Sequence, residues 1–503
     1  MNKAHYILLV ILIMAIFSSC SDWLDIKPEN EERENDMFQM VSGYEEALSG
    51  CYTSLVSQNI YGKQLSMSEI ECLACLWKEP VETNMAAQYR LYHHQYDNDD
   101  ARDVIKAIYT GLFNVVAQAN LILRHTQSAD SSVINSRQKL NLIRGEAYAI
   151  RAFCQMDVLR LFGQMPKNAQ KTVSLPYSED ASIDVLPSYY DFNSYITKLQ
   201  TDLDRAEKYL RLSDPLAAYI SGIGDDVPTY GDDDFLKYRN MRFNYWAVRA
   251  MKARLYQYIG ETQKAHDIAM EIINAKDDDG NSFISLSGLT DLPSNYYALP
   301  NECILALSND GQIDYSISVL GGDPTATFYP NQTMCITQSM LKDLFDGQNT
   351  SSNNRYQFVW EKETADATGI KYPTIKKYYY NAQTSYELAA LLTYLEIIPL
   401  IRLSEIYLIA METTTDLAEA NSLYKTYMLS HNVMITDDIA SLDDVKQIVL
   451  DEYRREFYGE GVMFYVYKRL GKTSMKWTTE AMSDEQYVLP LPDSEYDPNA
   501  TKQ

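Results

Sequence analysis

The sequence has 503 residues, of which 46% are hydrophobic, and it carries a formal net charge of −25 at pH 7. That hydrophobic content is typical of a folded globular protein and not of a disordered one. The acidic balance argues against a nucleic-acid-binding protein and against one that docks on anionic lipid headgroups. A neutral ligand or a partner protein suits this charge better.

The amino terminus has the parts of a secretory signal. Lys3 gives a positive start, residues 6–17 form an uninterrupted apolar run, and two serines precede Cys20. The apolar run is too short for a membrane-spanning helix, which needs about 20 residues. The Phe-Ser-Ser-Cys junction resembles a bacterial lipobox, in which the Cys is acylated and becomes the first mature residue. An ordinary signal peptide with an incidental Cys is the alternative. We therefore expect a signal over 1–19 and lipidation of Cys20, which would anchor the chain to a membrane without spanning it.

Helical periodicity begins after a short polar stretch. Residues 20–40 are polar and strongly acidic, and we interpret them as a tether between the lipid and the folded body. Beyond it, apolar residues recur at i, i+3 and i+4. This spacing predicts helices over 43–57, 101–125, 138–162, 188–210 and 442–458. The fourth of these is expected to begin at Pro187-Ser188.

Two further segments have the pattern of small and large residues that tetratricopeptide helix pairs show. The segment 242–275 is the more regular, with Gly260 where the repeat needs its tight turn. The segment 400–429 repeats the pattern loosely, with Thr415 in place of the glycine. Both predict pairs of packed helices.

Residues 276–395 differ in composition from the rest of the chain. Gly, Pro, Asn, Asp and Ser are frequent there and the helical periodicity fades, so we expect an irregular insertion on a helical scaffold. Residues 303–307 and 315–320 are predicted as short strands, and 321–324 as a turn. Binding residues are often carried on such loops.

No catalytic or metal-binding motif stands out. The sequence has no G-x-S-x-G, H-E-x-x-H or P-loop pattern. The side chains of His93 and His94 would diverge, so we do not expect them to share a metal. The acidic run 277–281 fails as a calcium loop, because its first and last ligand positions are Ala275 and Leu286. Paired carboxylates of a glycosidase would leave no mark in the sequence.

Cysteine and tyrosine usage leave alternatives open. Cys72 and Cys75 form a C-x-x-C, but no second pair and no suitably spaced His accompany it, so zinc is not expected. A redox dithiol and a pair of buried small hydrophobic side chains are both consistent with this motif. Tyr is unusually frequent, with 40 residues against 14 Phe. Its flat face and hydroxyl suit sugar rings, although packing between helices uses the same properties.

Five stretches, in the same order and spread over nearly the whole chain, are similar to the SusD/RagB family of surface nutrient-binding lipoproteins. They are DWLDIKP at 22–28, RGEAYAIRAF at 144–153 with LRLFG at 159–163, IRLSEIYLIA at 401–410, EYRREFYGEG at 452–461 with Phe464 and KRLG at 468–471, and LPLPDSE at 489–495.

The resemblance implies an all-α fold with four tetratricopeptide-like units. The scaffold would comprise 41–275 and 396–503, and the insertion 276–395 would carry the ligand site. It further implies that the protein binds an oligosaccharide, or a peptide, without catalysis or a cofactor. The ligand would pass to a SusC-like TonB-dependent transporter, with the protein lipid-anchored on the extracellular face of the outer membrane. A surface glycan hydrolase and a protein-assembly scaffold are the alternatives.

The resemblance also implies a ligand site where the loop after the first helix meets the insertion. Candidate ligand-binding residues there are Trp77, Asn84, Tyr89, Arg90, Tyr92 and Tyr96 in the first segment, and Asn295, Tyr296, Tyr297, Phe328 and Tyr329 in the second. Trp77 is the leading candidate because neither segment has another Trp; burial under a helix is its alternative.

Four arginines in otherwise apolar helices are predicted to be structural. They are Arg151, Arg402, Arg454 and Arg455, with Glu146, Glu405 or Glu456 as expected partners. A buried guanidinium needs such a partner, because an unpaired buried charge is strongly destabilising.

Overall fold

The computed structural model describes residues 34–495 apart from 130–133, 135, 167–173, 182–185, 218–232, 277–279, 283, 322–326 and 379–395. The signal, Cys20 and the 22–28 motif lie outside the described residues. So do most of the predicted 321–324 turn and the three aspartates, 277–279, of the acidic run 277–281. No helix within the described ranges has the length and apolar character needed to cross a membrane.

Helices dominate the fold. Their bounds are α1 Val41–Leu55, α2 Glu69–Leu73, α3 Ala86–Tyr92, α4 Asp99–Ser128, α5 Arg137–Phe162, α6 Phe192–Arg211, α7 Tyr245–Ile259, α8 Thr262–Ile273, α9 Gln312–Leu320, α10 Gln338–Leu344, α11 Leu403–Thr413, α12 Leu417–Ser430, α13 Leu442–Glu456 and α14 Met463–Leu470. The strands are short: β1 Leu175–Tyr177, β2 Ser188–Tyr190, β3 Cys303–Ser308, β4 Trp360–Glu361, β5 Thr374–Ile375 and β6 Ile397–Arg402. They pair antiparallel as β1 with β2, β3 with β6, and β4 with β5.

The long helices pack in succession, each on its neighbour in the chain. Helix α4 packs on α1 and α5, α5 on α6, α6 on α7, and α7 on α8. Helix α8 then contacts α11, which packs on α12 and α13. Their apolar faces form one continuous core, which confirms the predicted all-α scaffold of helix pairs.

Local sequence signals explain where the helices begin and end. The side chains of Asn98, Ser136 and Asp191 accept backbone N–H groups at the starts of α4, α5 and α6. Gly260 has φ of +81° between α7 and α8, so the predicted helix pair and its tight turn are both present.

Two predicted elements are wrong. Residues 188–190 form β2, because they pair with β1, and Asp191 rather than Ser188 caps α6. Residues 315–320 are helical within α9, where Gly321 ends the helix in the left-handed conformation with φ of +64°. The predicted strand at 303–307 is present as β3.

The insertion is joined to the scaffold through its first strand. β3 pairs with β6, which runs directly into α11. Within the insertion, α9, α10 and the β4–β5 hairpin are regular, so this part of the chain is more ordered than its composition predicts.

Buried ion pairs fix the same junction. Arg402 Nη1 lies 2.7 Å from Glu456 Oε1, and Nη2 lies 2.8 Å from Glu460 Oε1. Arg402 also pairs with Glu302. Arg355 adds a second guanidinium, 3.0 Å from Glu456 Oε2. Charged side chains of the insertion and of the scaffold therefore neutralise one another in the core.

The four arginines are structural, as predicted, but most of their partners differ from those expected. Arg151 pairs with Asp202, Arg454 with Asp451 and Arg455 with Glu452, while Arg402 pairs with the expected Glu456. Glu146 instead pairs with Arg239 and Arg242, and Glu405 with Arg254. Asp202 lies 51 positions from Arg151, so the helical pattern could not reveal it, whereas Asp451 and Glu452 lie three positions before their arginines and were overlooked.

Candidate functional site

The loop after α2 and the insertion meet at Lys78. Its backbone N–H donates to the Cys335 carbonyl at 2.8 Å. Its ammonium nitrogen lies 3.5 Å from the Pro330 carbonyl oxygen and 3.4 Å from Asn331 Oδ1. The two segments that carry the candidate aromatic residues are thus in direct contact.

Trp77 does not present a surface for stacking, contrary to expectation. Its side chain is fully buried, and its indole N–H donates to the Met67 carbonyl at 3.1 Å. The ring packs edge-to-face on Tyr458 with centroids 5.1 Å apart. Because the indole N–H has a backbone acceptor, the whole side chain can be buried at little polar cost.

Tyr89 and Arg90 lie on α3 at the edge of this contact. Both are half-buried, and the Arg90 guanidinium lies 5.4 Å from the Tyr89 ring centroid. Arg90 is held by Glu82 and by Gln95, whose Oε1 accepts at 2.7 Å. The guanidinium is therefore held in place beside an accessible ring face.

His93 connects α3 to the residue next to Lys78. Its Nε2 lies 3.2 Å from Glu79 Oε1, and its Nδ1 lies 2.7 Å from Glu480 Oε1. The Tyr89 ring packs on His93 with centroids 4.4 Å apart. Neither Glu79 nor Glu480 was among the candidate residues. Glu480 lies 387 positions from His93, so no local pattern marks it.

The described part of the insertion contributes an exposed ring at Tyr329. Tyr329 is 57% exposed, whereas the neighbouring Phe328 is only 8% exposed. Phe328 packs on Tyr372 with centroids 6.1 Å apart. Tyr372 was missed in the sequence because it lies 43 positions beyond Tyr329 in a stretch without periodicity.

Asn295, Tyr296 and Tyr297 lie around Lys376. Tyr297 Oη donates to Asn295 Oδ1 at 2.7 Å, and the Lys376 ammonium lies 4.6 Å from the Tyr297 ring centroid. Tyr296 is half-buried. Burial lowers the pKa of the Lys376 ammonium. Tyr372, which packs on Phe328, lies four residues before Lys376, and these four residues span about 13 Å in an extended chain.

The remaining candidates have other surroundings. Tyr92 is buried and its hydroxyl donates to the Trp477 carbonyl at 3.5 Å, while Asn84 is exposed. The Tyr96 hydroxyl donates to the Gln486 carbonyl at 2.6 Å. Tyr96 also lines a groove of about 460 Å³ between the start of α4 and residues 490–494, away from Lys78.

We define the junction surface as Tyr89, Arg90, Lys78, Asn331 and Tyr329. It offers one exposed ring, one half-buried ring, two cations and an exposed amide. Within the described part of the chain, no group of three His, Cys, Asp or Glu side chains is arranged to hold a metal ion. Such a surface can stack on a flat apolar ligand face and hydrogen-bond to its polar edge.

Comparisons with known proteins find SusD-like proteins. No model of a known protein family matches the chain. A curated relative, SusD-like protein P2 of Formosa agariphila, is 20% identical over an alignment that covers 98% of this chain and 97% of the relative. Over nearly its whole length, the chain is similar to this SusD-like protein.

Solved structures have the same fold. A SusD superfamily protein of Bacteroides thetaiotaomicron superposes with a TM-score of 0.68 at 21% identity, covering 92% of this chain and 99% of the other. Surface glycan-binding protein A of Bacteroides uniformis superposes with a TM-score of 0.66 at 15% identity, covering 92% and 98%. The SusD fold predicted from the five sequence stretches is confirmed.

Proposed function

We propose that this SusD-like protein binds an oligosaccharide at the junction surface and delivers it to a SusC-like TonB-dependent transporter, without catalysing a reaction. The observation that carries the proposal is the contact of Lys78 with Pro330 and Asn331, because it brings the two aromatic segments onto one surface.

The chemistry of the surface suits a neutral sugar. The Tyr329 ring is exposed on the insertion side, and the Tyr89 ring is half-buried on the α3 side. Sugar rings have apolar faces that pack on such rings and hydroxyls that bond to amide, ammonium and guanidinium groups. Each sugar hydroxyl exchanges water for protein at small net gain, so we expect modest affinity.

The comparisons support a glycan rather than a peptide. The Bacteroides uniformis relative in fold is named a surface glycan-binding protein. A peptide ligand of the same surface is the alternative, and a surface glycan hydrolase is the alternative from another class.

Tyr329→Ala tests the proposal. A glycan array identifies a ligand, and titration calorimetry then measures its affinity for the protein and the variant. We expect Tyr329→Ala to weaken binding at least tenfold, because the accessible ring is lost, which corresponds to about 1.4 kcal/mol.

Tyr238→Ala is the matched control, because Tyr238 is 62% exposed but lies near the start of α7, away from the junction surface. Its affinity should equal that of the unchanged protein. Unaltered binding by Tyr329→Ala would reject the junction surface. Peptide binding with a blank glycan array, or turnover of the bound glycan, would reject the oligosaccharide-binding function.

We further propose that residues 1–19 are removed, that Cys20 is acylated, and that the tether 20–40 holds the body on the outer face of the outer membrane. The Phe-Ser-Ser-Cys junction supports this assignment. Mass spectrometry of the mature amino-terminal peptide should find acyl chains on Cys20, and Cys20→Ala should lack them. An unmodified Cys20 in the mature protein would contradict the anchor.

A further inference from the structure

Two small cavities adjoin one another in the interior, where α5, α7 and α14 meet. Their volumes are about 30 Å³ and 20 Å³. Both are lined by Arg160 of α5, Arg254 of α7 and Tyr465 of α14, and Tyr258 lines the smaller one. Each cavity exceeds the roughly 10–15 Å³ that one water molecule requires.

Two phenol groups of the lining are buried and lack protein partners. Tyr465 is 6% exposed and Tyr258 is 4% exposed. Within the described part of the chain, neither hydroxyl has a hydrogen-bond partner. Burial raises the pKa of both phenols, so both remain O–H donors. A buried donor without an acceptor is costly, and most such groups in folded proteins are satisfied.

The charges of the lining favour water over an anion. Each guanidinium already has a carboxylate of its own. Arg160 Nε lies 3.0 Å from Asp157 Oδ1, Arg254 Nε lies 2.7 Å from Glu405 Oε1, and Arg469 Nη2 lies 2.7 Å from Glu412 Oε2. No surplus positive charge is left to hold an anion, whereas water both donates and accepts hydrogen bonds.

We propose that the two cavities hold ordered water molecules that accept hydrogen bonds from the hydroxyls of Tyr465 and Tyr258 and bridge these hydroxyls to the surrounding carboxylates and carbonyls. The water forms part of the packing between α5, α7 and α14. Polar cavities of this size hold water, whereas apolar ones stay empty.

Urea unfolding of Tyr465→Phe and Tyr258→Phe distinguishes a hydroxyl that bonds to ordered water from one in an empty cavity. Removing a hydroxyl that bonds to ordered water deletes a hydrogen bond, so each variant should have a lower unfolding midpoint. Removing a dry, unsatisfied hydroxyl would raise the midpoint. Tyr238→Phe, whose ring is largely exposed, is the matched control and should leave the midpoint unchanged.

A crystal structure at high resolution gives the second readout. It should show a water oxygen within hydrogen-bond distance of Tyr465 Oη and another near Tyr258 Oη. An unchanged or raised midpoint in both variants would overturn the proposal, and so would cavities without electron density, whatever the midpoints.

Discussion

Arg402 is 1% exposed and neutralises carboxylates from two parts of the chain. Glu302 belongs to the insertion, and Glu456 and Glu460 belong to the scaffold. Arg402→Ala would leave Glu302 without its counter-ion, while Glu456 and Glu460 would keep Arg355 and Lys377, respectively. We expect it to lower the free energy of unfolding by about 3–5 kcal/mol, as measured by urea denaturation.

Arg205→Ala is the control for Arg402→Ala. Arg205 lies 3.7 Å from Asp202 in an i,i+3 pair and its side chain is 47% exposed. The buried Asp202 keeps its pair with Arg151, and an ion pair of an exposed side chain contributes about 0–1 kcal/mol, so this variant should change stability little. A loss below about 1 kcal/mol for Arg402→Ala would contradict the structural role of the buried pairs.

Glu71 is a buried carboxyl with no cation bonded to it. Its Oε1 accepts the Gly461 N–H at 2.7 Å, while Oε2 has no partner among the described residues. Burial raises the pKa of this carboxyl from 4.5 to about 8. The folded protein therefore keeps a proton that the unfolded chain releases, so this group's contribution to stability falls as pH rises from 4.5 to about 8.

Glu71→Gln should remove this part of the pH dependence, because the amide stays neutral. Urea denaturation at pH 5 and pH 8 should show the variant gaining stability relative to the unchanged protein at the higher pH. The gain should exceed about 1.4 kcal/mol, the equivalent of one pKa unit. A stability difference that does not change with pH would show that Glu71 ionises freely in the folded protein.

Single residues show where sequence reasoning stops. Trp77 follows the apolar run 73–76 and precedes Lys78, a pattern that fits both an exposed and a buried Trp. Its burial depends on the Met67 carbonyl, which accepts the indole N–H, and Met67 is not visible as a partner in the sequence. Similarly, apolar neighbours predicted that Arg151 is structural, but its partner Asp202 lies 51 positions away. The structural role of Arg151 could be predicted from its neighbours, but its partner could not.

At the scale of elements, the long helices were predictable because their apolar periodicity matches one buried face. The turn between α7 and α8 was predictable from Gly260. Residues 315–320 were not, since a short apolar run fits strand and helix equally, and α9 ends at a left-handed Gly321. Residues 188–190 were misassigned because their pairing with β1 is non-local.

Two glycine-to-alanine substitutions test how backbone conformation affects stability at a helix end and within a helix. Gly260→Ala places a side chain at φ of +81° and should cost about 1–2 kcal/mol in the free energy of unfolding. Gly50→Ala lies within α1, and the nearest atom to its new Cβ would be Gln118 Oε1 at 3.8 Å. It should stabilise the protein by about 0.5–1 kcal/mol, because Ala loses less entropy in a helix. Urea denaturation measures both, and changes of the same sign would contradict the account.

At the scale of the whole molecule, the scaffold and the insertion form one folded body. β3 pairs with β6, Arg402 of the scaffold pairs with Glu302 of the insertion, and Arg355 of the insertion pairs with Glu456 of the scaffold. The junction surface depends on this docking, since Tyr89 belongs to the scaffold and Tyr329 to the insertion. The five family-like stretches predicted the fold, but which aromatic rings are exposed depends on packing between segments more than 200 residues apart.

The central claim is that a ligand binds where these two parts of the chain meet. The most direct test is a crystal structure of the protein with a bound oligosaccharide chosen by glycan array. We predict sugar rings packed on Tyr329 and hydrogen-bonded to Lys78, Asn331 or Arg90. An oligosaccharide bound instead in the groove beside Tyr96, or elsewhere on the scaffold, would contradict the claim.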